Sequence, residues 1–486
     1  MKDLNERAPG DLPTKAYLRI ISFEWQILPT KGKTQSILFV PKRNVAAFLQ
    51  ILDISFHIRR WTGIFVEGGT VSSLSKKEQD SLFSNHERSP IMRFIAVVFL
   101  SLALLCMPQT VLADMTVNLD WEMANRYNDL TVSVDGEVGQ GFGVKLGVGA
   151  AGSMEGPENF ATRVTEFGGS YSIGTFKVFG GLISHTVGRA KIHPTFLCPN
   201  SPAFPNVGYE ISGMNWSYMK LHGDLRNPRR ELFPGEEQEN YKRLGLHYLS
   251  FTPWEPLSIG LGEALVFTES FDGDLFYNSL PFLPYYFAKY FPGIKSAADN
   301  SLFYGDGQLK LPIATLYGEL LVNEFPMTPG AGNPKLFAIT LGAETDELIP
   351  NWNLLAEYTY FTDRAYSNGN KDAVYSIGDK SLGHPLGDEF TGFDIQASRY
   401  WDSIQSETTF GVYHLRLGDT AVRPWSKRSE DLVEEKVYGV KLEAKHWRDN
   451  LELGAHLDVG YVTDYKHQPG ETGFKHNFVL SDTWHL

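Results

Sequence analysis

The sequence predicts an all-β fold, a transmembrane antiparallel outer-membrane β-barrel of about 16–18 strands. Three observations point to it. Segments of about nine to eleven residues alternate apolar and polar side chains, a length suited to a tilted bilayer crossing. The turns between them alternate between short and long. An export signal lies upstream, and the sequence after it has no second long apolar stretch, which excludes helical spans.

In chain order the export signal comes first. Met92-Arg93 supplies a start residue and one basic charge, Phe94–Met107 is an almost unbroken apolar run, and Val111 and Ala113 occupy small-residue cleavage positions. The apolar core, about 14 residues, falls short of the roughly 20 that a helical span needs. Residues 1–91 are therefore read as an over-extended start and 92–113 as a signal peptide cleaved near Ala113. That leaves 114–486, 373 residues, as the working barrel. The competing reading is an N-terminal domain with a membrane anchor. Residues 1–91 show neither helical periodicity nor a clean strand pattern to support it.

Residues 1–113 carry 14 Lys+Arg against 9 Asp+Glu, so 114–486 hold 30 against 48, a net charge of −18. An exported protein this acidic is a poor partner for nucleic acid. It suits divalent cations or neutral, hydroxyl-rich ligands. Cys198 is the only cysteine after the signal, so no internal disulfide forms.

The strand pattern opens with Leu130, Val132, Val134 and Val138 against Thr131, Ser133, Asp135 and Glu137. It recurs as Phe337, Ile339, Leu341 and Ala343 against Ala338, Thr340, Gly342 and Glu344. Phe393, Ile395, Ala397 and Trp401 then oppose Asp394, Gln396, Ser398 and Tyr400. Tyr438–Ala444 and Leu451–Tyr461 alternate in the same way across the turn Arg448-Asp-Asn450, one long hairpin. A soluble sandwich would alternate too. Two features favour the barrel: the polar face carries Gly, Glu, Lys, His and Asp at strand centres, as a wet lumen would, and short turns (Asp402-Ser403) alternate with long Pro- and Gly-rich ones (Lys191–Asn206, Tyr366–Gly387).

The middle of the chain carries an ordered set of motifs. Ser201-Pro-Ala-Phe-Pro205 and His222-Gly-Asp-Leu225 precede Leu257–Leu265 and Leu280-Pro-Phe-Leu-Pro-Tyr-Tyr286. Asp299-Asn300, Leu316-Tyr-Gly-Glu319, Asn323-Glu324-Phe325, Glu357-Tyr-Thr359 and Gly383-His-Pro-Leu-Gly387 follow. Over roughly residues 200 to 400 this set resembles the Wzi-type capsule assembly family of outer-membrane barrels. The resemblance implies roughly 18 strands in a Gram-negative outer membrane. It also implies a role in attaching capsular or related polysaccharide to the surface, as a lectin rather than a catalyst. No N-terminal helical bundle is visible between Asp114 and Leu130.

Glu263 falls in phase with Leu257, Ile259, Leu261, Leu265 and Phe267, which aims it at lipid. A charge there costs several kcal/mol at mid-membrane depth, so a bulge is expected to turn it inward or the site to lie at the rim. Glu263 and Glu269 fail as a glycosidase pair, because six residues on one strand face separate them by about 20 Å. Asp299, Asn300, Tyr317, Glu319, Asn323 and Glu324 mix carboxylates, amides and a phenol. Such groups bind sugar hydroxyls, or equally form a lumen network that keeps a barrel rigid. With Glu263, Glu357 and His384 they are the candidate carbohydrate-binding residues.

His384 sits in a tight Gly- and Pro-fixed loop with no second histidine at a metal-ligand spacing, so zinc is not expected. Trp401, Trp425, Trp447 and Trp484 read as an interfacial girdle before they read as sugar-stacking groups. Ser184-His185, as neighbours on opposite strand faces, make no nucleophile and base. The sequence thus points to an outer-membrane protein with no catalytic residues, cofactor or metal. Its expected partners are capsular or lipopolysaccharide-type glycan and outer-membrane lipid, and not nucleic acid. A porin-like diffusion channel is the alternative that the same fold permits.

Overall fold

The computed structural model describes residues 115–124, 127–137, 141–153, 161–226, 242–268, 285, 300–323, 336–370, 372–378, 380–424 and 432–485. The leader and signal, Val138, Asp299, Glu324 and Trp425 lie outside the described residues.

The first strands are β1 (Met115–Ala124), β2 (Tyr127–Glu137), β3 (Phe142–Ser153), β4 (Ala161–Ile173), β5 (Phe176–Ile183) and β6 (Phe204–Ser212). Next come β7 (Trp216–Asp224), β8 (Arg243–Trp254), β9 (Leu257–Phe267), β10 (Asn300–Lys310), β11 (Thr315–Asn323), β12 (Phe337–Ile349) and β13 (Trp352–Phe361). A two-residue hairpin, β14 (Ser376–Ile377) with β15 (Lys380–Ser381), stands apart. The wall resumes with β16 (Phe390–Trp401), β17 (Ser406–Leu417), β18 (Glu435–Arg448), β19 (Leu451–Thr463) and β20 (Thr472–His485).

Apart from the small hairpin, the strands form one 18-stranded sheet in which each pairs antiparallel with its chain neighbours. β1 pairs with β20 from Thr116↔His485 to Ala124↔Asn477, which closes the sheet. Closure leaves no unpaired edge, as a bilayer requires of a strand-built span. The hairpin read at Tyr438–Tyr461 is β18–β19, paired without interruption from Lys436↔Thr463 to Arg448↔Leu451. β1 was not among the strands read from sequence, although Val117, Leu119 and Trp121 alternate there with Asn118, Asp120 and Glu122.

The outer surface is apolar and exposed, with Leu341, Phe393, Phe410, Val440 and Leu442 among its residues. At the end of the barrel that holds Met115 and His485 the connections are short: 174–175, 213–215, 255–256, 350–351, 402–405 and 449–450. Asn351, Gln405 and Asp449 take left-handed backbone there, as tight hairpin turns demand. Trp216, Trp254, Trp352, Trp401 and Trp484 sit at strand ends on this side, where an interfacial girdle belongs. The opposite end carries the long connections 184–203, 225–242, 268–299, 362–389 and 418–434.

The core lies inside the barrel. Phe196 and Leu197 from the β5–β6 connection and Tyr366, Tyr375 and Leu382 from the β13–β16 connection are buried with Leu246, Ala264, Leu302, Leu321 and Phe390 of the wall. Phe196 stacks on Tyr304 at 4.6 Å between ring centres. Burying these rings and aliphatic chains folds two long connections into the lumen as a plug.

Candidate functional site

Strand alternation decides which side chains meet the plug. On β11, Tyr317, Glu319, Leu321 and Asn323 share one face while Leu320 is exposed on the other. On β13, Glu357 is buried while Tyr358 is exposed. Register then places Asp306 of β10 opposite Glu319, and Glu357 opposite Asp394 of β16. Gly342 of β12 lies opposite Tyr317, and a Cβ there would come within 2.2 Å of the Tyr317 ring. Only glycine lets that ring lie across the wall.

Two carboxylates grip the plug by its backbone. Glu319, 2% exposed, accepts the amides of Arg189 (2.5 Å) and Ala190 (2.7 Å) on one oxygen. Its other oxygen accepts the Thr195 amide (2.7 Å) and hydroxyl (2.9 Å). Glu357, 1% exposed, accepts the amides of Lys191 (3.0 Å) and His193 (2.5 Å) and the Tyr317 hydroxyl (2.8 Å). Hydrogen bonds to a charged acceptor are the strong kind, and these run in series along one segment. Gly188, at φ +134°, lies so close that a Cβ would meet Glu319 Oε1 at 2.4 Å.

Side chains complete the grip. The Arg189 guanidinium pairs with Asp306 and donates to Gln308 (3.1 Å) and Ser250 (3.2 Å). His193 Nε2 lies 2.6 Å from Asp394, and Lys441 Nζ lies 2.8 Å from the same carboxylate. His193 Nδ1 lies 3.0 Å from His384 Nε2, and the Leu386 amide donates to His384 Nδ1 (3.2 Å). That last bond assigns the tautomers: His384 donates from Nε2 to His193, which donates from Nε2 to Asp394. Burial holds the His384 imidazole well below its ordinary range, with His193 and Lys441 pushing the same way. The two connections are tied directly as well, since Tyr366 Oη accepts the His384 amide (2.9 Å) and donates to the Thr195 carbonyl (2.6 Å).

Nearer the outer end, Asn323 donates to the carbonyls of Arg364 (3.2 Å) and Ser367 (2.8 Å). Its amide oxygen, and both polar atoms of the fully buried Asn300, have no protein partner among the described residues. Leu302 faces Asn323 directly, so Asn300, two residues further on the same face, stands about 7–8 Å away.

Glu263 follows a different course. Lys220, His247 and Glu263 stand in one row across β7, β8 and β9, and Leu261, 55% exposed, shares their phase. The only register shift between β8 and β9 lies at Phe251/Trp254, so no bulge turns Glu263 inward. It keeps the outward phase and is covered instead. The Tyr285 amide donates to Glu263 (2.8 Å), as His247 Nε2 approaches the same oxygen (2.9 Å). Lys220 lies 5.0 Å over the Tyr285 ring, and Tyr285 Oη is 3.1 Å from His222. An opposite charge and a covering ring remove the cost of a bare carboxylate in lipid.

Of the sequence candidates, Tyr317, Glu319, Glu357 and His384 thus gather around the plug. Asn300 and Asn323 stand toward its outer end, and Glu263 lies on the other side of the wall. Arg189, His193, Asp306 and Asp394 were missed. Asp306 and Asp394 carry the one available signal, a carboxylate on the polar face of a strand. Ser184 and His185 follow the end of β5 and do not lie on strand faces: Ser184 donates to Glu166, and His185 pairs with Asn206 (2.9 Å). Among the described residues no group of three or more His, Cys, Asp or Glu is arranged to hold a metal.

No protein-family model matches this chain, and no curated protein does. Among solved structures it is similar to Wzi of Escherichia coli, described as an outer-membrane protein involved in group 1 capsule assembly and a carbohydrate-binding β-barrel. The TM-score is 0.56 at 10% identity, over 78% of this chain and 86% of that one. It is also similar to OprD of Pseudomonas aeruginosa (TM-score 0.44, 13% identity, 76% of this chain and 94% of that one). A third is OccK2 of the same organism, solved with glucuronate (TM-score 0.43, 10% identity, 77% and 97%). At 10% identity the likeness to the E. coli barrel shows the fold, an outer-membrane barrel, and does not place the chain in the Wzi family.

Proposed function

We propose that this protein binds a surface polysaccharide at the outer mouth of its barrel and assists the assembly or attachment of a capsule or related glycan, without catalysing a reaction. The observation that carries this reading is the clamp of Glu319 and Glu357 on eight donors of the plug and wall. It turns two long connections into a fixed platform, and preorganised groups lose little entropy when they bind a flexible sugar. The buried amides of Asn300 and Asn323 lie at the outer end of that platform with hydrogen-bonding capacity left over among the described residues. Asp299 and Glu324, next to them in sequence, extend the same chemistry. Tyr317, Glu319, Glu357 and His384 serve the site by holding it in shape. The E. coli neighbour, a carbohydrate-binding barrel by its description, lends support through fold alone.

The test is twofold. Purified protein titrated with capsular and lipopolysaccharide-type glycans binds one of them, and Asn300→Ala weakens that binding while leaving the barrel folded. Cells lacking the gene shed glycan into the medium. Glycan still firmly cell-bound in the deletion strain, with no glycan bound in the titration, contradicts the proposal.

A further inference from the structure

We propose that the half of the lumen bounded by β18–β20 and β1–β4 is a water-filled passage beside the plug that conducts small monovalent cations. The inference is independent of glycan binding and rests on a different wall of the barrel.

Space comes first. Barrels of 16–18 strands are wide enough to leave an aqueous channel when nothing fills them. Here the 184–203 segment takes its hydrogen bonds mainly from β8, β10–β13 and β16, with Glu166 of β4 and Asn206 of β6 at the margin. The facing wall is wet. Side chains of Lys145 and Lys445 are 30% and 40% exposed, and Asp135 and Glu137 are exposed too. These groups face inward, since register puts them on the face opposite the exposed Leu453 and Leu480, with Thr483, Asn118 and Ser133 bonded in a row on the same face.

Charge sets the selectivity. The inward lysines and arginine of this half are each taken by a carboxylate: Lys145 by Glu166 (2.9 Å), Arg163 by Asp129 (2.5 Å), Lys441 by Asp394 (2.8 Å), Lys445 by Glu443 (3.2 Å) and Lys475 by Glu435 (2.9 Å). The remainder is anionic. On β1 and β2 the inward phase from Thr116 to Glu122 and from Asp129 to Glu137 offers only oxygen-bearing side chains. Asp120, Glu122, Asp135 and Glu137 make no ion pair among the described residues. Register sets Glu122 opposite Asp129 and Thr116 opposite Asp135, so unpaired carboxylates recur along about 27 Å of wall from Glu122 to Glu137. Unpaired carboxylates along a wet wall concentrate cations and repel anions.

The experiment uses the full chain, folded in detergent and inserted into planar lipid bilayers under a potassium chloride gradient. The expected result is a steady conductance with a reversal potential of cation-selective sign. Asp120→Asn/Glu122→Gln/Asp135→Asn/Glu137→Gln moves that potential toward zero and leaves glycan binding unchanged. Should the fourfold variant fail to fold, Glu137→Gln alone shifts the potential less, in the same direction. A folded protein that passes no ions overturns the proposal, as does an anion-selective potential or one that the substitutions leave in place. Glycan titration of the same samples reads the proposed function separately.

Discussion

On the β10–β16 wall, the inward carboxylates of Glu319, Glu357 and Asp394 are almost wholly buried and surrounded by donors from the plug. On the β1–β2 wall, Asp135 and Glu137 stand in water with no ion pair among the described residues. Both walls come from the same alternation of side chains, and the sequence pattern alone cannot tell them apart. What separates them is whether a connection folds back against the wall. A carboxylate costs little in water, whereas one that loses its water must regain several hydrogen bonds. The buried group therefore becomes a structural anchor and the wet one is left to act on solutes.

Substitutions on the two walls should therefore differ greatly in cost. Glu319→Ala combined with Glu357→Ala strands several buried donors at about 1–3 kcal/mol each. The double variant should lose on the order of 5 kcal/mol in urea unfolding followed by heat-dependent gel mobility. Trypsin should then cut after Arg189 or Lys191, which the intact plug protects.

Glu263→Ala probes the outer face of the wall. It leaves Lys220 buried without that counter-charge, and a loss of about 3 kcal/mol is expected. A change of less than about 0.5 kcal/mol would mean that Tyr285 does not seal this row.

The third test is pH. His384 binds a proton less readily in the folded protein than in the unfolded chain, so unfolding takes up a proton in acid. Its contribution is fully present above about pH 6.5 and is lost as pH falls toward the lowered folded value, with a slope of up to about 1.4 kcal/mol per pH unit. His384→Gln should flatten the fall of the urea midpoint between pH 7.5 and pH 5. An unchanged slope would assign the acid sensitivity elsewhere.

The smallest effect belongs to the wet wall. Lys445→Ala breaks the exposed pair with Glu443 (3.2 Å) and should change stability by less than about 0.5 kcal/mol.

The strands were legible because alternation is a local signal. β18 and β19 contain the expected faces, and Leu442 and Leu457 point outward as read. The site was legible only in part. Glu319 and Glu357 could be placed on an inward face, yet their partners lie in a segment more than 120 residues away, and His193 and His384 are 191 positions apart. No spacing rule reaches that far. For Glu263 the outward phase was correct, and of the two remedies expected, a bulge or a place at the rim, the bulge is absent. A bulge is a local device, while the cover found here, Tyr285, comes from a connection whose return path no periodicity records.

Cysteine labelling tests the division of the lumen most directly. Ser133→Cys on the wet wall and Thr340→Cys under the plug are each exposed to a water-soluble maleimide in the folded, detergent-solubilised protein, with the buried Cys198 as internal control. The account predicts rapid labelling at position 133 and none at 340 until urea unfolds the chain. Equal labelling at both positions, or protection at both, would contradict it.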